Sequence, residues 1–132
     1  ETTGKPSAFG SLEENIQLAR ILPEVKPVID FAHIHARTNG GIKSRADYES
    51  IILKIKKGLG AESLKQLHCH FTEVHFTEKG ERWHIPIGEK WQPDFRWLAE
   101  TIRKNGYKFT IISESPMLDR DALKMQKMVS SN

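Results

Sequence analysis

The stretch Pro-Val-Ile-Asp-Phe-Ala, residues 27–32, decides the fold that the sequence predicts. It is apolar except for one acid and too short for a helix, which is typical of a buried parallel strand. Residues 64–71 and 107–113 have a similar apolar character. Because helical patterns separate these three runs, we expect parallel strands joined by right-handed crossover helices.

Four amphipathic segments supply the predicted helices. The first begins at Ser11, has Glu14 three residues later as a capping box, and ends at Pro23. The other three span about residues 44–60, 93–106 and 119–129. Residues 72–92 are mostly polar and are predicted to form a long loop.

This order of elements is used by the open doubly wound sheet and by the closed (β/α)₈ barrel. A whole barrel needs roughly 250 residues, whereas the chain has 132. If Glu1 ends a further strand, the chain contains four β/α units. The sequence therefore predicts an α/β fold in which residues 1–132 form a single partial domain, half of a TIM barrel.

Composition sets broad limits on the function. The formal net charge of +3 and the isoelectric point near 9.0 tolerate a polyanionic partner without requiring one. Cys69 is the single cysteine, which excludes an internal disulfide and fits a reducing, cytoplasmic location. No apolar run is as long as a membrane helix, so no membrane partner is expected.

Acids and imidazoles stand where the predicted strands end. Asp30 and His33 follow the first strand, His68 and His70 lie on the second, and Glu114 ends the third. The carboxyl ends of parallel strands meet at one edge of a sheet, where α/β proteins place their active sites. Mixed imidazole and carboxylate ligands there indicate a metal site that favours zinc, with manganese as the alternative.

Other parts of the chain add candidates to this edge. The predicted loop contributes an acid and a histidine, and Glu1 would end the additional strand. The predicted metal ligands are therefore Glu1, Asp30, His33, His68, Glu81, His84 and Glu114. Basic residues in loops at the strand ends are candidate phosphate contacts, namely Lys5, Arg37 and Arg82.

Each candidate ligand also has a purely structural interpretation. Asp30 would cap a local turn, and His33 would be a hydrogen-bonded histidine of the core. His68 and His70 lie on one face of their strand, so one of the two is the expected ligand. The acid and the histidine of the loop would be solvated, as charged loop residues usually are.

Five segments occur in the order found in the endonuclease IV-like barrels, which share the xylose isomerase-like fold. They are Glu-Thr-Thr-Gly-Lys (1–5), Ile-Asp-Phe-Ala-His (29–33), Leu-His-Cys-His-Phe (67–71), Gly-Glu-Arg-Trp-His (80–84) and Ser-Glu-Ser-Pro (113–116). The chain resembles especially the archaeal-type branch of that family. The resemblance implies the C-terminal half of the (β/α)₈ barrel, strands 5–8 with their helices. It also implies a DNA-repair hydrolase, an endonuclease that uses two or three zinc ions to cut DNA at abasic sites.

The resemblance gives individual residues their roles. Glu1 resembles the bridging glutamate after strand five, and Asp30 and His33 resemble the pair after strand six. His68 resembles the ligand on strand seven, with a further histidine on the same face. Glu114 resembles the glutamate after strand eight, which bridges metals nearest the attacking water. Glu114 and Glu1 are therefore the catalytic candidates.

The loop departs from the family pattern. The better-known enzymes have Asp-x-His there, whereas residues 81–84 read Glu-Arg-Trp-His. The histidine is therefore three residues after the acid instead of two. Trp83 stands in its place. Two further histidine ligands of the family belong to the first half of the barrel, which this sequence does not contain.

Two other functions also fit the pattern. A sugar or sugar-phosphate isomerase or epimerase on the same barrel would use one metal ion. A non-catalytic half barrel would pair through its open strand edges with the remaining half or with a second copy. The number of metal ions separates the first two, and the additional pair Glu81 and His84 favours the nuclease.

Overall fold

A computed structural model describes residues 1–131 as a small α/β fold. Its helices are α1 (Leu12–Ile21), α2 (Phe31–Arg37), α3 (Arg45–Leu59), α4 (Phe95–Asn105) and α5 (Asp119–Ser130). Its strands are β1 (Val28–Asp30), β2 (His68–Phe71), β3 (Glu73–Thr77), β4 (Gly80–Ile85) and β5 (Thr110–Ser113).

The three-stranded sheet is parallel and has the order β1–β2–β5. Its register places Asp30 beside His70, and His70 beside Ile112. Successive side chains of a strand point to opposite faces. Ile29 and Cys69 are fully buried in the main core with the helices. The other face of the sheet therefore carries Asp30 and His70 at neighbouring positions.

The helices form the main core against this sheet. Tyr48 and Ile55 of α3 and Leu98 of α4 have no exposed surface, and the ring of Tyr48 lies 5.4 Å from that of Phe31. Burying each such side chain contributes roughly 1.5–3 kcal/mol. Within residues 1–131, no helix combines the length and apolar character needed to cross a membrane.

The predicted start of α1 is confirmed. The backbone N–H of Glu14 donates to the hydroxyl of Ser11 at 3.1 Å, and the carboxylate of Glu14 accepts from the N–H of Ser11 at 2.7 Å. This reciprocal capping box satisfies two backbone donors that the helix itself leaves without partners.

Strands β3 and β4 form a separate antiparallel hairpin. Val74 and Phe76 on one face pack against Ala32 and Ala36 of α2 in a second, smaller apolar cluster. The two alanines allow the hairpin to approach α2 closely. As a result, residues of the hairpin lie over the end of the parallel sheet.

The prediction of half a TIM barrel, strands 5–8, is wrong. Within residues 1–131 the parallel sheet has three strands instead of four, and the other two strands are the hairpin. Glu1 does not end a strand. Its neighbour Thr2 lies along β1, where its N–H donates to the carbonyl of Val28 at 3.1 Å. The N–H of Asp30 donates to the hydroxyl of Thr2 at 2.8 Å and not to a backbone carbonyl, as it would in a regular strand pair.

Two predictions of local secondary structure are also wrong. Residues 72–92 were predicted to be a loop, but Val74 and Phe76 alternate with polar residues at the period of a strand, and α2 supports their apolar face. The predicted first strand extends to residue 32, whereas α2 begins at Phe31 because Asp30 caps it. A tertiary contact decides the structure of the first segment, and a local side-chain cap decides that of the second.

Glu73 holds the segment that follows the hairpin. Its side chain is fully buried, and its carboxylate accepts hydrogen bonds from the backbone N–H groups of Gly88, Lys90 and Trp91. The bonds to Lys90 and Trp91 are 2.7 and 2.8 Å long. One buried side chain therefore fixes the loop that leads from β4 to α4.

We expect Glu73→Gln to lower the free energy of unfolding by about 2 kcal/mol or more, because the amide has one acceptor oxygen where the carboxylate uses two for three backbone N–H groups. Urea denaturation followed by circular dichroism measures the loss. Glu78→Gln, at an exposed position in the hairpin turn, is the matched control and is expected to change stability by less than about 0.5 kcal/mol. Equal stabilities of the two variants would contradict the role of Glu73.

Candidate metal centre

Asp30 occupies the junction between β1 and α2. Its Oδ1 accepts the backbone N–H of His33 at 2.9 Å, which makes Asp30 the N-cap of α2. The residue is fully buried, and within residues 1–131 its Oδ2 has no hydrogen-bond partner. The two oxygens thus have separate roles, one in starting the helix and one directed at neighbouring ligand groups.

The first turn of α2 places His33 between two acids. Its Nε2 lies 2.9 Å from Oε2 of Glu81, and its Nδ1 lies 3.2 Å from Oδ2 of Asp30. The same Nδ1 is 2.9 Å from the carbonyl oxygen of Thr2. The Asp-x-x-His spacing therefore has a local cause, because a helix cap and the residue three positions later lie side by side.

A bulge in the hairpin brings Glu81 and His84 to the same side. Residues three apart in a regular strand face opposite sides. Here Phe76 pairs with Glu81 and His75 with Trp83, which leaves Arg82 as an extra residue. Nε2 of His84 consequently lies 2.8 Å from Oε1 of Glu81.

Trp83 faces away from this group. Its ring stacks on that of His75 with centroids 4.1 Å apart, and 57% of its surface is exposed. The bulge thus allows His84, three residues after Glu81, to reach the acids.

His70 lies at the opposite side of the group. Its Nδ1 is 3.1 Å from Oε1 of Glu1 and 3.3 Å from Oε1 of Glu114. Glu114 directly follows β5, and its N–H donates to the carbonyl of Phe71 at 2.9 Å. Its own carbonyl lies 2.9 Å from Nδ1 of His84. The strand end thereby links the hairpin to the sheet.

Six of the seven predicted ligands meet at this edge, and His70 joins them. The exception is His68, which is exposed and pairs with Val28 and Thr110 at the start of its strand. The family resemblance predicts His68 instead of His70 as the ligand on this strand. His70 lies nearer the carboxyl end of the strand, and the register of β2 against β1 places it beside Asp30.

The ligand atoms form three overlapping groups, in each of which all atoms lie within 4.8 Å of one another. The groups are Glu1 with Asp30 and His33, Asp30 with His70 and Glu114, and His33 with His84 and Glu114. Each group contains both carboxylate oxygen and imidazole nitrogen, the donor set of zinc and manganese sites.

The charges at this edge suit a cation. Burial raises the pKa of Asp30 to about 6, although the nearby charge of His33 opposes the change. Burial disfavours the charged form of His33, but hydrogen bonding to Glu81 and the charges of Asp30 and Glu81 outweigh it and raise its pKa to about 9. Hydrogen bonds from His33 and His84 hold the pKa of Glu81 well below its usual range. The buried Oδ2 of Asp30 is costly when ionised unless a cation or proton offsets it, so the residues fit a metal ion.

The predicted phosphate contacts differ in their surroundings. Arg37 donates to the carbonyl of Lys5 at 2.8 Å and to the hydroxyl of Thr3 at 3.1 Å, so it holds the segment after Glu1. Lys5 and Arg82 are exposed. They lie close together in the fold, since the N–H of Glu81 donates to the carbonyl before Lys5 at 3.1 Å.

The chain is similar to an uncharacterized protein of Methanocaldococcus jannaschii. The two are 35% identical over 127 residues, which cover 96% of this chain and 46% of the relative. The chain thus spans about half the length of the curated relative it matches. No family model matches the chain, and no solved structure matches it.

We expect the affinity of this centre for zinc to rise with pH until about pH 9. Zinc coordinates the unprotonated imidazole of His33, whose pKa in the metal-free protein is about 9, and the ionised carboxylate of Asp30, whose pKa is about 6. Between these values, displacement of the proton from His33 makes the affinity rise by up to about tenfold per pH unit. Competition with a chromophoric chelator at several pH values measures the slope. An affinity that stays constant over this range would contradict the assignment of His33.

Proposed function

We propose that this protein is a zinc-dependent phosphodiesterase of DNA repair that cleaves DNA at abasic sites, an activity like that of deoxyribonuclease IV. The observation that supports the proposal is the overlap of three ligand groups that share Asp30, His33 and Glu114. Neighbouring groups with common carboxylates are what a site for two or three adjacent ions requires. The order of sequence segments resembling the endonuclease IV-like enzymes agrees with it.

The residues that would hold the ions are those of the three groups together with Glu81, and His70 takes the place of His68. When bound, adjacent divalent ions supply Lewis acidity, which lowers the pKa of a coordinated water and neutralises charge on phosphate oxygens. The protein supplies the arrangement of the ligands. Asp30 is fixed by the cap of α2, and Glu81 and His84 are fixed by the bulge.

Glu114 and Glu1 are the residues to which we assign proton handling. Both place a carboxylate oxygen near Nδ1 of His70, at 3.3 and 3.1 Å respectively. Their side chains are only partly buried, with 31% and 38% of their surface exposed. A substrate water at this edge would therefore be within reach of a carboxylate that is open to solvent.

Contacts to the DNA backbone are assigned to Lys5 and Arg82. Both are exposed, and both lie beside the edge that carries the ligand groups. Most protein contacts to DNA go to phosphates and position the strand without reading its sequence. The modest net charge of +3 agrees with a small number of such contacts. We place this activity in the cytoplasm, where the single buried cysteine, Cys69, stays reduced.

The protein purified with zinc is expected to contain more than one equivalent of the metal, because one ion cannot use three ligand groups at once. Elemental analysis by mass spectrometry measures the content after dialysis. The full-length relative from Methanocaldococcus jannaschii is measured in parallel, because this chain spans about half of it. A single equivalent of zinc in both proteins would favour a sugar or sugar-phosphate isomerase instead. Absence of zinc from both proteins would contradict the assignment of a metal centre.

Glu114→Gln is expected to reduce cleavage of a duplex containing one abasic site by at least about a hundredfold, because the amide neither bridges cations nor accepts a proton. Gel electrophoresis of a labelled duplex measures cleavage, and circular dichroism shows whether the fold is retained. Glu62→Gln, on the exposed surface, is the control. Cleavage at the unchanged rate by the folded Glu114→Gln variant would exclude Glu114 from the reaction.

A further inference from the structure

A cavity of about 400 Å³ lies apart from the metal-binding groups. None of the candidate metal ligands lines it. Its walls come from the end of α2, the loop after it, the hairpin strand β3, and the segment that leads into α4. A volume of this size is within the range of natural small-molecule sites, roughly 300–1,000 Å³.

His35 lines this cavity, and one nitrogen of its buried ring has no hydrogen-bond partner in residues 1–131. Only 3% of its surface is exposed, and its Nδ1 accepts the backbone N–H of Ile42 at 3.2 Å. A ring nitrogen that accepts a hydrogen bond carries no proton, so the neutral ring has its proton on Nε2. Within residues 1–131 this buried Nε2 has no partner. Buried donors are nearly always paired, which indicates that a molecule outside the chain provides the acceptor.

Flat aromatic rings form much of the remaining wall. Phe76 meets the ring of His35 edge to face, with centroids 5.0 Å apart. Trp91 and Trp97 line the cavity as well, and Trp97 is 41% exposed. The guanidinium of Arg96 lies 3.8 Å from the centre of the Trp91 ring, which holds that ring in place. Such walls suit a planar apolar body.

The charges around the cavity favour an anion. Lys43 lines it, and in the part of the chain that the structure describes its ammonium group has no carboxylate within ion-pair distance. The nearest acid along the chain, Asp47, accepts the backbone N–H of Lys43 at 2.9 Å, and this bond, helped by the charge of Lys43, lowers the pKa of Asp47. The acid in the wall, Asp94, is already neutralised, since its carboxylate lies 2.7 Å from the guanidinium of Arg96. One buried donor and one ammonium group therefore have no acidic counterpart in the wall.

We propose that this cavity binds a small aromatic carboxylate. One carboxylate oxygen accepts the Nε2–H of His35, Lys43 balances the charge, and the ring packs against the tryptophans. This site does not depend on the proposed phosphodiesterase activity. It touches the same two elements as the metal centre, because α2 carries both His33 and His35, and Phe76 pairs across the hairpin with Glu81.

The test uses naphthoate as the probe and naphthyl methanol as its uncharged counterpart. Both are titrated into the protein in the presence of a chelator, so that the carboxylate cannot bind through a metal ion. Tryptophan fluorescence gives the affinities, and heteronuclear NMR follows the Nε2–H signal of His35. We expect naphthoate to shift that signal and to bind at least about tenfold more tightly than the alcohol.

Variants distinguish naphthoate binding in this cavity from binding elsewhere on the protein. His35→Phe keeps a ring but removes the donor, and it is expected to weaken naphthoate binding at least about tenfold. Lys43→Gln is expected to weaken it several-fold, and Lys127→Gln on α5 is the matched control. Trp97→Ala tests the wall at a partly exposed position if His35→Phe does not fold. Absence of naphthoate binding at millimolar concentration, or binding that neither His35→Phe nor Trp97→Ala weakens, would overturn the proposal whatever the result of the nuclease assays.

Discussion

The buried carboxylate of Asp30 is the constraint on which the rest of the site depends. One oxygen begins α2 by accepting the N–H of His33, and the other lies among ligand atoms without a hydrogen-bond partner in residues 1–131. An acid inside a strand of apolar residues is costly unless it is compensated. Here the compensation is divided between the helix end and a charged neighbour. The same residue therefore sets the direction of the chain and the electrostatics of the edge.

The hairpin depends on α2 in turn. The face that carries Val74 and Phe76 rests on the alanines of that helix. Glu81 and His84 pair with Phe76 and Val74 across the hairpin, so they lie on this same face, where Glu81 contacts both His33 and His84. Glu73, at the beginning of the hairpin, fixes the segment that returns the chain to α4. Strand, helix and hairpin thus form one connected unit, in which the position of each ligand follows from packing elsewhere.

Much of this arrangement could be predicted from the sequence. The three parallel strands lie within the predicted runs, and α1, α3, α4 and α5 lie close to the predicted helices, because their apolar periodicity is strong. Helix α2 and the hairpin were not predicted. A seven-residue helix is too short to show a clear pattern, and its stability comes from the cap and from Val74 and Phe76 above it.

The same distinction holds for the ligands. Acids at strand ends could be identified because a carboxylate is unusual beside apolar residues. The choice between His68 and His70 required the register of β2 against β1, which pairs His70 with Asp30. The half barrel was inferred by adding a fourth strand at Glu1, and the side-chain hydrogen bonds of Thr2 occupy that position instead.

The bulge at Arg82 has a consequence for how such sites change over evolutionary time. Insertion or deletion of one residue in β4 would normally turn every following side chain to the opposite face. A hairpin that gains or loses a bulge absorbs that change locally and keeps its two ligands together. Glu81 and His84 then share one side although they are three residues apart, as residues two apart do in a regular strand, and a motif search with one fixed spacing would overlook one of these arrangements.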